Sequence, residues 1–207
     1  MFLPLLYQIP TWMQRLYRGF VWRMNPSSKV VYLTFDDGPI PQCTPQVLDI
    51  LRQYNAKATF FMVAENAERY PELLARVKAE GHSIGNHTYS HMRGHQSCNH
   101  TYVANALHGE QILHTRLFRP PHGRMRYSQK KAMLQAGYTI YLWDVLTPDY
   151  NPCYTPEKML RIVQRFTRNG SIIVLHDSLK SCDRMLLALP LIIQWLQSQG
   201  YKLESLT

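Results

Sequence analysis

The chain has 207 residues, 45% hydrophobic and 18% charged, a composition that excludes a disordered tail, a collagen-like repeat or a coiled coil. Its 23 Lys and Arg against 14 Asp and Glu give a formal charge of +9. The basic residues are scattered, with no zinc-finger, RNP or helix-turn-helix pattern, so nucleic acid is not the expected partner. A domain of this length buries a core without disulfides or a structural metal, so any metal it takes is expected to serve chemistry.

The amino terminus opens with an apolar run but has no basic leader, carries Pro4 and Pro10, and lacks a small-residue cleavage site, which makes it a poor signal peptide. Residues 1–28 read as a strap packed on a domain of residues 29–207. Trp12, Leu16 and Phe20 alternate with Arg15, Arg18 and Arg23, a pattern that would also suit peripheral contact with a membrane or wall surface. The run from Met185 to Ile193 is too short to span a bilayer and is broken by Pro190. A soluble protein is expected, cytoplasmic or peripheral to the membrane. Cys43, Cys98, Cys153 and Cys182 have no paired spacing and are expected to stay reduced.

From Lys29 the chain alternates strand and helix. Lys29 to Phe35 is a β-rich run stopped by Asp37-Gly38-Pro39, and Thr44-Pro45 reads as the N-cap and first position of a helix with Val47, Leu48, Ile50 and Leu51 inward. Ala58 to Val63 reads as strand, Pro71 to Glu80 as helix stopped by Gly81, His82 to Gly85 as strand and Tyr102 to Thr115 as helix. Leu117-Phe118, Ser128 to Ala136 and Tyr138 to Trp143 then read as strand, helix and strand. A helix capped at Thr155-Pro156, a strand over Ser171 to Leu175 and a helix over Cys182 to Ser198 complete the series. Buried, non-alternating strands between helices imply a parallel sheet, open or closed into a barrel, with its chemistry at the carboxyl ends of the strands. Asp36-Asp37, His87 to His91, Arg119, Asp144 with Asp149, and His176-Asp177 all follow strands, so one rim should gather them.

Their chemistry is coherent. His87 and His91, four apart, would share one side of a helical turn and reach one cation, whereas His95 is expected to be solvated. Adjacent acids at the end of a buried strand need cations nearby. Asp37 with His87 and His91 would complete a three-ligand set with an open fourth position, leaving Asp36 as general base. His176 suits a general acid, and Arg119 a permanent cation that keeps Asp36 ionised.

Thr34 to Pro39, His87 to His91, Arg119 to Gly123, Trp143 to Tyr150 and Val174 to His176 resemble, in order, the motifs of the NodB-homology polysaccharide deacetylases, carbohydrate esterase family 4, across roughly residues 29–200. The resemblance implies an α/β fold, a single-domain distorted (β/α) barrel of roughly seven strands. It also implies Zn2+ or another divalent transition metal such as Co2+, and hydrolysis of N-acetyl groups on N-acetylhexosamine units of a peptidoglycan- or chitin-like glycan. Asp36 would be the base, with Asp37, His87 and His91 the ligands and Arg119 positioning Asp36. Asp149 would tune the acid His176, and the backbone N–H of His122 would help hold the oxyanion. Pro121, Trp143, Tyr150 and Leu175 would meet substrate. The chain departs from the pattern at His122, where Tyr or Phe is usual, at Leu146 in place of an acid, at Tyr150 in place of Trp, and at Val174 in place of Leu.

Two other readings compete. The lack of a visible signal peptide and the altered fourth motif suit a cytoplasmic deacetylase of a small amide or nucleotide-linked amino sugar. The charge of +9 suits a non-catalytic glycan- or membrane-surface-binding protein on the same scaffold. The oligomeric state is left open.

Overall fold

The computed structural model describes residues 7–207, so residues 1–6 of the expected strap lie outside the described residues. Eight strands, β1 (Val30–Asp36), β2 (Ala58–Met62), β3 (Ser83–Asn86), β4 (Leu117–Phe118), β5 (Thr139–Ile140), β6 (Val145–Leu146), β7 (Ile172–His176) and β8 (Lys202–Leu203), pair in parallel. Seven run in the order β5-β4-β3-β2-β1-β7-β6, and β8 pairs with the amino end of β1. The helices are α1 (Thr11–Leu16), α2 (Thr44–Gln53), α3 (Ala64–Arg69), α4 (Pro71–Ala79), α5 (Asn99–Leu113), α6 (Tyr127–Gln135), α7 (Pro156–Phe166) and α8 (Cys182–Ser198).

The central strands are parallel because their sequences allow nothing wetter. Every residue of β2, Ala-Thr-Phe-Phe-Met, is buried, which requires cover on both faces. One face receives α2, α7 and α8, whose Val47, Leu48, Leu51, Met159, Val163, Leu189 and Ile193 join Leu33, Phe35 and Phe60 in the main core. Phe35 stacks on Phe60 at 5.0 Å between ring centroids. The register sets the rim: Asp36 lies opposite Phe61 on one side and His176 on the other. Two polar residues are thus delivered to neighbouring strand ends by hydrophobic pairing alone.

The barrel is distorted because β5 and β6, its edge strands, do not pair with each other; the amino-terminal segment fills the gap. Val21 N–H donates to the Ile140 carbonyl and Leu142 N–H to the Val21 carbonyl, both at 2.8 Å, while Met24 N–H reaches the Gly170 carbonyl at 2.8 Å. Farther back, Leu146 N–H donates to the Tyr7 carbonyl at 2.8 Å. Phe20 packs on a satellite core with Tyr102, Phe118 and Met133, whereas Trp12 and Leu16 remain 65% and 71% exposed.

Several elements differ from the sequence expectation. The apolar run Tyr138 to Trp143 is not one strand. It pairs as β5 only over Thr139–Ile140, then crosses the gap, and the chain re-enters the sheet as β6 on the far edge. Asp144 therefore leaves the rim and sits at the amino end of β6, where it accepts from both Arg168 nitrogens at 2.9 and 2.6 Å, from Ser171 at 2.8 Å and from Gln14 at 3.1 Å. Thr44 does not cap α2; Cys43 occupies the cap and the Thr44 hydroxyl is drawn away by Asp177. The short α1 and α3, and β8, had no counterpart in the reading.

Because Asp144 ties the amino-terminal segment to the barrel, Asp144→Ala should cost about 2–4 kcal/mol, the range for stranding the partners of a buried, hydrogen-bonded charge. Urea denaturation would measure it. A loss of turnover in the folded variant, with no loss of stability, would restore Asp144 to the rim.

Candidate active site

The rim is built outward from Arg119, which follows β4. Its side chain is fully buried, and Nη1 donates to Asp36 Oδ1 at 2.6 Å and to Thr34 Oγ1 at 2.7 Å, while Nη2 donates to the Leu142 carbonyl at 3.0 Å. The guanidinium lies 4.1 Å from the Phe61 ring centroid and 5.9 Å from that of Trp143. Burial lowers its pKa, opposed by Asp36, yet guanidinium stays charged throughout the accessible range. Asp36 is itself 3% exposed and opens on the cleft.

The same residue orients the first histidine. His87 is buried, and its Nδ1–H donates to the Arg119 carbonyl at 2.7 Å, which leaves Nε2 bare and facing Asp37 Oδ1 at 3.6 Å. Burial, reinforced by His91 and Arg119, lowers its pKa to about 4, so the ring is neutral, as a metal ligand must be. His91 Nε2 stands 3.1 Å from the same Asp37 oxygen. The ligand atoms of Asp37, His87 and His91 lie within 4.8 Å of one another, and a neutral, back-bonded imidazole beside a carboxylate is the donor set a divalent ion takes. Burial opposes ionisation of Asp37, but the hydrogen bond from His91 and the surrounding imidazoles outweigh it and hold the carboxyl well below its ordinary range.

The helical turn expected to align these histidines is absent. Residues 87–91 form an irregular loop in which Thr88 and His91 adopt φ of 69° and 53°. Asn86 makes that loop possible: buried at the end of β3, it accepts from Thr88 N–H at 2.8 Å and donates to the Ala106 carbonyl of α5 at 2.7 Å. The two rings meet at 5.1 Å by way of two left-handed residues.

Opposite lies His176, at the end of β7. Asp149, fully buried, accepts from His176 Nδ1 at 2.8 Å and from its backbone N–H at 2.7 Å. Burial opposes protonation of His176, but the Asp149 charge and hydrogen bond prevail and push its pKa up to about 10. The ring is therefore a cation at neutral pH with Nε2–H free to donate. Tyr150 sets its ring edge against it at 5.5 Å.

Asp177, placed on the rim but given no role by the sequence, turns behind the site. Its oxygens accept from Gly38 N–H at 3.1 Å and Thr44 Oγ1–H at 2.6 Å. A Cβ at Gly38 would fall 2.0 Å from Asp177, so only glycine admits the carboxylate that pins the loop carrying Asp37. Burial pushes the pKa of Asp177 up to about 7. Its contacts are local to the fold, and only its position after a rim histidine marked it.

Asp36, Asp37, His87, His91 and His176 line a cleft of about 410 Å³ with His122, Trp143, Leu146, Tyr150, Ser178 and Lys180, while Arg119, Asp149 and Asp177 lie behind its wall. Leu175 lies in the main core with no exposure, and Pro121 is buried; neither is among the described residues that line the cleft. Ser178 and Lys180, which drew no attention in the sequence, do line it. His95 is exposed on a neighbouring loop.

Comparison with known proteins agrees with this geometry. The family model described as polysaccharide deacetylase matches residues 23–141. A peptidoglycan-N-acetylglucosamine deacetylase of Bacillus cereus is 37% identical over 192 residues, covering 89% of this chain and 90% of the relative. A chitooligosaccharide deacetylase of Bradyrhizobium is 33% identical over 198 residues, covering 86% and 90%. Among solved structures, a peptidoglycan N-acetylglucosamine deacetylase superposes with a TM-score of 0.88 at 32% identity over 96% of this chain and 95% of that one. The peptidoglycan deacetylase PdaC of Bacillus subtilis superposes with a TM-score of 0.77 at 32% identity over 88% and 90%. With the motif residues converging on one cleft of the same barrel, the chain belongs to the polysaccharide deacetylase family.

Proposed function

We propose that the protein is a metal-dependent hydrolase that removes N-acetyl groups from N-acetylhexosamine units of a peptidoglycan- or chitin-like glycan. The observation that carries this is the pairing of an acceptor and a donor on one cleft: Asp36, held by the buried Arg119, and His176, held by the buried Asp149. Amide hydrolysis needs both, because water must lose a proton and the leaving amine must gain one. The domain boundary follows, with residues 29–207 as catalytic unit and the preceding segment as a strap.

Asp37, His87 and His91 would hold a divalent transition metal, Zn2+ or Co2+, which when bound would polarise the acetyl carbonyl and lower the pKa of the attacking water. Asp36 would take the proton of that water; Arg119, itself steadied by its bond to the Thr34 hydroxyl, restricts the Asp36 carboxylate to one orientation. The backbone N–H at His122, in a turn at φ 58° on the cleft wall, is the proposed donor to the developing oxyanion. His176 then delivers its Nε2 proton to the amine nitrogen, and Asp149 holds the ring through Nδ1. Trp143, Leu146 and Tyr150 form the apolar wall against which the acetyl methyl and sugar would rest.

Asp36→Asn should lower acetate release from N-acetylglucosamine oligomers by about 100- to 10,000-fold, the usual contribution of a general base, with the fold and metal content retained. Turnover that survives the change would remove Asp36 from the mechanism. Removing metal with a chelator should abolish acetate release, and Zn2+ or Co2+ should restore it. His91→Ala should lose the bound ion by elemental analysis, and one ion per chain still bound in that variant would refute the ligand assignment.

The His176 pair predicts a pH signature. With its pKa raised to about 10, His176 keeps its proton through neutral and mildly alkaline pH and loses it as pH climbs through that value. Asp149→Asn withdraws the stabilising charge, so the alkaline limb of kcat/KM should move down by at least one pH unit toward the ordinary histidine range. An unmoved limb would assign the proton to another group.

A further inference from the structure

A second concavity opens beside the catalytic cleft and shares His122 with it. Its lining consists of Arg93, His95, His122 and Arg124, around about 340 Å³. The two loops that carry these residues are fixed to one another by Gln129, a fully buried side chain of α6. Gln129 Nε2 donates to the Gly94 carbonyl at 2.8 Å and to the Ser97 carbonyl at 3.3 Å, and its Oε1 accepts from Arg126 N–H at 2.8 Å. Gly94 lets the loops touch, since a Cβ there would lie 2.8 Å from Gln129 and 3.1 Å from the Arg124 carbonyl. Arg126 reaches across to the His95 carbonyl at 3.1 Å. The backbones that carry these exposed side chains are therefore held together by the fold.

The acid that acts on His122 is Asp37, on the cleft side, and it is taken by His91 at 3.1 Å. Between His91 and Gln135 the only acidic residue is Glu110, and it is occupied by Arg116 at 2.8 Å and the Tyr138 hydroxyl at 2.6 Å. Among the described residues Arg93 and Arg124 make no ion pair. The Arg93 side chain bonds instead to another basic residue, its Nε–H donating to His122 Nε2 at 3.2 Å. His122 in turn packs edge-on against His91 at 5.0 Å between ring centroids, which puts the cationic hollow one residue away from the proposed ligands.

We propose that Arg93, Arg124, His95 and His122 form an anion subsite that receives a carboxylate carried by the glycan next to the residue being deacetylated. The inference rests on the deacetylase reading and narrows its substrate class from N-acetylated glycans in general to those bearing carboxylates beside the reacting sugar. A guanidinium matches a carboxylate through paired N–H donors. His95 and the His122 ring would add further N–H donors, and the open mouth would admit a substituent that projects from a chain lying across both hollows.

The test uses three probes at low ionic strength: neutral N-acetylglucosamine oligomers, a peptidoglycan glycan fragment with free lactyl and peptide carboxylates, and the same fragment with those carboxyl groups converted to methyl amides. Both Kd, by titration calorimetry, and kcat/KM are measured for the protein and for the double variant Arg93→Gln/Arg124→Gln, whose fold is verified by its circular dichroism. The protein should favour the free acid over the amide by about tenfold in both quantities, the effect of a small number of partly solvated ion pairs. That ratio should collapse toward one in the double variant and shrink with added salt. Equal binding of acid and amide by the protein, or a preference that survives the double substitution, would overturn the subsite. Charge-selective binding without acetate release from any probe would support the subsite and overturn the deacetylase reading instead.

Discussion

A guanidinium with no exposure to water is expensive to bury, and the barrel is arranged around satisfying it. Arg119 is charged at every accessible pH, so the fold must surround it with acceptors or forgo the structure. It finds the Asp36 carboxylate, the Thr34 hydroxyl and the Leu142 carbonyl, with Phe61 and Trp143 rings against its flanks. Those partners come from β1, β2 and the stretch that crosses between β5 and β6. Its backbone contributes as well: the N–H bonds to the Asn86 carbonyl at 3.0 Å and the carbonyl fixes the tautomer of His87. One residue thereby couples the charge of the proposed base to the orientation of a proposed ligand. The fit is incomplete, because Nε is buried without a partner, and that residual cost makes the remaining bonds harder to give up.

The carboxylates of this rim would repel one another in an apolar barrel, and the structure separates them by assigning each a different counterpart. Asp36 is held by Arg119, Asp37 by imidazoles, Asp149 by protonated His176, and Asp177 by the neutral donors of Gly38 and Thr44. Three of them meet groups that the proposed chemistry would use: Asp36 a permanent cation, Asp37 the imidazoles that would share a metal, and Asp149 a ring whose pKa it raises. Asp177, bonded to no charge, has its pKa raised by burial.

Residue chemistry at the strand ends was legible in the sequence because buried strands must stop at turns and polar groups there cannot return to the core. Thr34 to Pro39 and Val174 to His176 fall on adjacent strands, and their register alone sets Asp36 beside His176. What escaped reading depends on long-range pairing. Residues 138–143 have the pattern of one strand, yet the gap between the edges of the sheet breaks them and carries Asp144 to Arg168 and Ser171. The spacing of His87 and His91 suggests a helical turn, but the same four-residue interval is met by a loop with two left-handed residues, braced by Asn86 and α5. Along β7, His176 lines the cleft while its neighbour Leu175 is packed in the core, as alternation along a strand directs.

The charge of +9 also acquires a location. Five of the seven aspartates, Asp36, Asp37, Asp144, Asp149 and Asp177, are spent inside the barrel or at its rim, so the outer surface is more basic than the total implies. That surplus is not uniform around the cleft. Arg93 and Arg124 stand on the His122 side, while Lys180 stands on the opposite wall above the Tyr150 ring at 5.8 Å. On the proposed reading, acids in the floor and cations on both shoulders would suit a polymer whose negative groups lie beside, not upon, the reacting amide. Field and chemistry would then act at different points of one chain: the shoulders would align it, and the neutral acetamido group alone would reach Asp36 and His176.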